Sequence, residues 1–305
     1  MQKVILLGMF TLLNVFVKAQ GCSDAGFCSL SVLKNNTFSQ KHKASLQIGA
    51  SYGLGDVNTT TINPYVAYQY QFNKKWLLQT KVTSVYANGF LGNAFQLGDV
   101  FALATYAAKK DSNNAVTILG GIKIPLTNAN TKNQFNQSLP LDYQSSIGTY
   151  DVIVGINYVY QQQWEVNAGL QIPVIQQNKN AFLPSNFTNE KAQQFSPTNL
   201  FKRSADVLAR VGYYFKFPSS SLSIKPNLLA IYHVAEDSYV NTNNQRIQLQ
   251  GSKGLTLNGG LVITKTFHNN NQLEVVAATP FVVRTIRPDG LTRSFVFNLQ
   301  YNIQL

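Results

Sequence analysis

The chain has 305 residues, only 12% of them charged, with a formal net charge of +12. A soluble protein carries about 25% charged residues, so this composition excludes an ordinary charge-coated globule. The abundance of Tyr and Phe beside Asn, Gln, Ser and Thr demands an environment other than water for part of the surface.

In chain order, residues 1–19 come first. Lys3, the apolar run Val4–Val17 and the small residue Ala19 form the pattern of a secretory signal peptide cut after Ala19. The run is short for a bilayer span, which takes about 20 residues. Cleavage there removes Lys3 and Lys18 and no acid, taking the balance to +10. Residues 20–42 hold Cys22 and Cys28, the only cysteines, and an exported chain with so close a pair is expected to join them in a disulfide. A lipid-modified Cys22 is the alternative. The segment either trails in the periplasm or plugs the domain that follows.

From residue 43 to the end, apolar side chains recur at every second position, the period of a strand with one greasy face. The pattern predicts strands near 43–53, 62–73, 75–87, 96–108, 115–126, 148–161, 163–175, 203–217, 221–234, 254–267, 271–285 and 292–305. Segments over ten residues long exceed the usual five or six of soluble strands and suit tilted, membrane-spanning ones. Polar connections alternate in length. Short ones fall at 73–75, 109–114, 161–163, 218–220 and 268–271; long ones fall at 127–147, 176–202 and 235–253, with shorter members of that set at 54–61, 88–95 and 286–291. Short turns on one rim and long loops on the other are the habit of outer-membrane barrels. The expected fold is therefore all-β: a transmembrane antiparallel up-and-down barrel over 43–305, of about twelve strands in a range of about 10–14, with short periplasmic turns and long extracellular loops. Its setting is the outer membrane of a Gram-negative cell, with the bilayer and lipopolysaccharide as partners.

Parity sorts the two faces. The aromatics Trp76, Tyr106, Tyr158, Tyr160, Trp164, Phe215 and Phe217 fall outward near the short-turn rim, where an interfacial girdle belongs. The inward face collects charges: Lys81, Asp99, Lys123, Asp151, Glu165, Asp206, Arg210, Lys216, Lys225, Glu274 and Arg284. Of these, Lys81, Asp99, Lys123, Asp151, Asp206, Arg210, Lys225 and Arg284 are the candidate solute path. The same charges could instead pair across strands as a structural belt. Inward apolar residues, among them Phe101, Leu103, Leu119, Ile153, Val159, Leu208, Leu229 and Ile231, point to a narrow or plugged interior able to hold a greasy solute. Pro125, Pro173 and Pro280 sit near the long-loop ends of three strands and predict kinks, because proline donates no ladder hydrogen bond.

The run QLGDVFALATYAAKK, VTILGGIKIPLT and SSIGTYDVIVGINYVYQQQ resembles the outer-membrane barrels of the meta-pathway phenol-degradation family, allied to FadL-type transporters. Gly98-Asp99, Gly121-x-Lys123-x-Pro125 and Gly148-Thr149-x-Asp151 carry the likeness, over about residues 96–163. It departs at Leu126-Thr127, where the family has Thr-Gly, and at the terminal Leu305. The resemblance implies passive uptake of small hydrophobic or amphipathic compounds, anionic ones included.

Three histidines (His42, His233, His268) offer no zinc spacing and no paired nucleophile, so neither catalysis nor a metal or other cofactor is expected. Nucleic acid is not an expected partner, since the basic residues are scattered. The competing reading is a non-transporting scaffold or secretion-accessory barrel that binds a protein through its long loops.

Overall fold

The computed structural model describes residues 43–111, 113–289 and 293–305. The signal peptide, the segment 20–42 and the Cys22–Cys28 pairing lie outside the described residues. Twelve barrel strands follow one another: β1 (Ala44–Gly55), β2 (Thr60–Gln71), β3 (Trp76–Gly89), β4 (Gly92–Lys110), β5 (Ala115–Pro125), β6 (Thr149–Tyr160), β7 (Trp164–Gln176), β8 (Asp206–Tyr213) with its continuation β9 (Phe215–Phe217), β10 (Leu222–His233), then β13 (Gly254–Thr266), β14 (Gln272–Val282) and β15 (Arg293–Gln304). Each pairs antiparallel with the next, and β15 closes on β1 in the register Ser45↔Gln304 to Leu54↔Phe295. Closure leaves no unpaired edge, the condition for a sheet in lipid. All twelve predicted strands are present with ends shifted by a few residues. The expected loop at 88–95 is instead a tight turn at Phe90 and Leu91 in the longest hairpin, because β4 begins at Gly92.

Alternation explains the faces. On β6, Asp151 and Ile153 are buried, whereas Val152, Val154, Ile156, Tyr158 and Tyr160 stand outward and exposed. The outward band carries Trp76 against Tyr106 (ring centroids 5.0 Å), Trp164 against Tyr213 (4.9 Å) and Tyr213 against Phe215 (4.8 Å) at the short-turn end. Such a continuous apolar surface is stable only against lipid. Between β6 and β7 the three-residue turn places Gln161 and Gln162 in the left-handed region, at φ 50° and 55°, and the Gln163 N–H donates to Tyr160 O at 3.1 Å. Glutamine is a poor residue for that conformation, so the ladder on either side holds the turn.

Pro173 and Pro280 each stand beside a register shift, where Tyr150↔Ile175 passes to Asp151↔Pro173 and Leu257↔Val282 passes to Asn258↔Pro280. Pro125 ends β5: it pairs with Asp99, and the β5–β6 ladder stops at Lys123↔Asp151.

The long loops form a cap with cores of their own. Leu139, Tyr143, Phe182, Ala192 and Phe195 pack on Val85, Ala87, Leu91 and Ala94 of the β3–β4 hairpin. A second cluster joins Ala129, Leu141, Ile147, Phe201 and Leu249. Asn180 ties the first loop (126–148) to the second (177–205): fully buried, its Nδ2 donates to Ala129 O (2.7 Å) and Leu139 O (2.9 Å). The third loop (234–253) contains the small hairpin β11 (Ser238–Val240) and β12 (Arg246–Gln248), which sequence periodicity did not indicate.

Candidate lumen and extracellular mouth

Side chains fill the barrel in three tiers. In the middle, Phe101, Leu103, Leu119, Ile153, Leu208 and Leu229 form one apolar cluster reached from β4, β5, β6, β8 and β10. None is more than 5% exposed, so water does not pass freely between them. This girdle narrows the lumen by packing, as the inward apolar residues led one to expect.

Toward the loops lies a belt of charge. Lys123 Nζ stands 3.2 Å from Asp151 and 3.7 Å from Asp99, and donates to Thr149 Oγ1 at 3.0 Å. Asp99 also accepts from Ser146 Oγ (2.6 Å), and Asp151 accepts from Gln171 Nε2. Gly121 keeps room for this corner: a Cβ there would meet the Ala102 carbonyl at 2.5 Å.

The belt continues into a closed ring at the mouth. Arg203 pairs with Asp206 and its Nε stands 3.8 Å from Asp289. Asp206 Oδ1 lies 2.7 Å from His233 Nδ1, and His233 Nε2 lies 2.8 Å from Asp237 Oδ1. Arg284 completes the circuit, with Nη1 3.9 Å from Asp237 and Nη2 donating to Asp289 at 2.8 Å. All six groups are buried. Burial pushes the Asp289 carboxyl up, but the guanidiniums of Arg284 and Arg203 outweigh it and hold the group down at about 2. The backbone braces the ring as well. Gln176 accepts the Arg203 N–H (2.8 Å) and donates to the Arg203 carbonyl (2.9 Å), continuing β7 beyond its ladder with β8. The Asp237 N–H donates to Ser252 Oγ (2.8 Å), and Arg284 Nη1 donates to Ser252 O (2.8 Å).

Toward the periplasm lies the other polar tier. Lys225 Nζ donates to Glu165 (2.8 Å) and to Tyr214 Oη (3.2 Å), while Tyr214 donates to Glu165 at 2.6 Å. Glu165 and Glu274 are also the acidic charges acting on buried Arg210. Lys81 sits on the face of the Tyr65 ring, 4.0 Å from its centroid. Tyr65 in turn crosses β1 over Gly49, where a Cβ would meet the ring at 2.5 Å, and donates to Gln300 at 2.9 Å.

The eight predicted path residues thus divide. Asp99, Lys123 and Asp151 meet in one cluster, Asp206 and Arg284 belong to the ring, and Arg210 and Lys225 sit below the girdle, while Lys81 lies over the Tyr65 ring. The sequence pattern began a strand at Arg203, which the structure leaves in the second loop with its side chain in the ring, and it gave no role to His233 or to Asp237 and Asp289, which lie in loops. Both nitrogens of His233 face carboxylates, which leaves neither for a nucleophile. Among the described residues no cluster of His, Cys, Asp and Glu could hold a metal ion.

No family model matches this chain, and no curated protein does. Among solved structures it is similar to an outer-membrane channel from Pseudomonas putida F1, with a TM-score of 0.60 and 13% identity over 89% of this chain and 98% of that one. The NanC porin (TM-score 0.45, 11% identity, 85% and 98% covered) and the KdgM porin (TM-score 0.43, 8% identity, 86% and 99% covered) are more remote. At such identity the likeness to the channel establishes the closed antiparallel barrel. The finer resemblance to FadL-type transporters has no matching model behind it.

Proposed function

We propose that this chain is an outer-membrane channel for passive entry of small hydrophobic or amphipathic compounds. The observation that carries the reading is the apolar girdle between two polar tiers. A water-filled pore would leave its inward side chains wetted; here they are packed together, so a solute must displace greasy contacts and offer its own in return. Two contacts weigh against a path selective for anions. Lys123 and Lys225 each stand against a carboxylate, so the interior supplies few uncompensated cations. Selection by apolar fit therefore outweighs selection by charge, and a carboxylate on the solute is tolerated rather than required.

The test is uptake into proteoliposomes of a fatty acid, an aromatic acid and a sugar, with Leu229→Ala and Lys123→Ala beside the native chain. Transport predicts faster entry of the two greasy acids than of the sugar, with the preference for them changed by Leu229→Ala. Uptake no greater than in empty vesicles would sink the channel reading and favour the partner-binding scaffold.

A further inference from the structure

The ring at the mouth contains a hydrogen-bonding problem that one added proton solves. His233 is 1% exposed, and its two nitrogens lie 2.7 and 2.8 Å from carboxylate oxygens of Asp206 and Asp237. An ionised carboxylate only accepts, and a neutral imidazole donates from one nitrogen alone. With neutral His233 and both carboxylates ionised, one contact would set a nitrogen lone pair against oxygen lone pairs at a buried position. A second ring proton turns both contacts into charge-assisted hydrogen bonds. It also balances the whole ring: the carboxylates of Asp206, Asp237 and Asp289 against Arg203, Arg284 and the imidazolium.

We infer that Asp206, His233 and Asp237 form a proton-binding site whose occupancy latches the extracellular mouth. The groups come from different pieces of chain. Asp206 begins β8, Arg203 precedes it in the second loop, Asp237 lies in the third loop, and Arg284 and Asp289 follow β14. These are the titratable and charged groups facing His233 from every element packed there. Holding the proton keeps the second and third loops and the segment after β14 drawn together over the lumen. Losing it leaves a surplus negative charge and one repulsive contact, and the third loop separates from β8. Release in alkaline medium is therefore the direction of the switch.

Only the effect on flux rests on the channel reading; the latch can be tested without transport. In the full-length chain refolded into lipid nanodiscs and labelled with 15N-histidine, the three imidazoles are resolved by NMR, and His233→Gln identifies the resonance of His233. At about pH 7.5, one unit above the ordinary histidine value, His233 is expected to show a hydrogen on each ring nitrogen. Amide exchange, corrected for its intrinsic pH dependence, is expected to speed by about tenfold in residues 234–253 when the proton is lost, the equivalent of about one unit of differential proton affinity. His233→Gln should remove that pH dependence and leave strand amides protected. A singly protonated His233 at that pH overturns the proposal. So does loop exchange that responds identically to pH in the native chain and in His233→Gln. Should the variant fail to refold, the ring-nitrogen measurement on the native chain decides by itself. Solute flux that rises with pH in the native chain alone would then extend the latch to gating. A latch without flux at any pH would sink the channel reading and leave the proton site standing.

Discussion

The two buried charge clusters, the ring at the mouth and the Glu165–Lys225–Tyr214 group below the girdle, use similar chemistry for different ends. The lower cluster joins β7, β10 and the break between β8 and β9, all of which the backbone ladder already secures. The ring joins loops that meet otherwise through sparse backbone contacts, such as the bridge of Lys202 with Ser238 and the Ile286 N–H donating to Gly251 O at 3.0 Å. Desolvating a pair of charges costs about as much as their attraction returns, so neither cluster is explained as a source of net stability. Their difference lies in what is lost on breaking them: local order within a finished wall below, and the relative placement of three segments above.

Arg203→Ala should have the largest effect. It takes one cationic partner from each of Asp206 and Asp289, leaving His233 on the first and Arg284 on the second, and removal of one partner from a buried network costs about 3–5 kcal/mol. The prediction is a lower unfolding temperature together with proteolytic cleavage in 177–205 and 234–253, read by heat-dependent gel mobility and limited proteolysis. Retained loop protection would mean that the apolar cap cores and the backbone bridge of Lys202 with Ser238 hold the mouth without the ring.

Acid should act next. Asp289 has a value of about 2, below the ordinary carboxylate, so its contribution is fully present above about pH 4 and is lost as pH falls through about 2. A shift of that size is worth roughly 2 kcal/mol. Exchange in the described part of the segment after β14 should therefore rise on going from about pH 4 to about pH 2, while the amides flanking Glu165 should change less. The mouth then loosens at both extremes, in acid through its carboxylates and in alkali through His233.

Glu165→Gln should be milder and confined to its own tier. The amide oxygen still accepts from Lys225, but the buried ammonium loses its countercharge, a loss of about 1.5–3 kcal/mol, with no change in loop proteolysis. A response at the mouth as large as that of Arg203→Ala would show that the tiers are coupled through the girdle. Gly49→Val separates packing from charge in the same tier: its side chain would displace the Tyr65 ring, costing about 1–3 kcal/mol by overpacking, and tryptophan or tyrosine fluorescence would report the shift.

Strand by strand, the barrel was legible because its signal is local. Successive strand residues face opposite sides, so a lipid-facing wall prints a two-residue period, and burial agrees with it at Lys123, Asp151, Ile153 and Leu208. The same period identified which charges point inward. It could not say which of them meet. Lys225 pairs with Glu165 sixty residues away, and His233 meets Asp206 twenty-seven residues away, through a register and shear that no single strand encodes. Still less could it find Asp237 and Asp289, and it carried the strand through Arg203 when the chain there is loop, since loop residues follow no period and are placed by tertiary hydrogen bonds such as those of Gln176 and Ser252. Periodicity by itself determined the wall of this protein and the sign of its lining; closure of the barrel decided the partners, because only three-dimensional contact brings charges from separate loops within bonding distance.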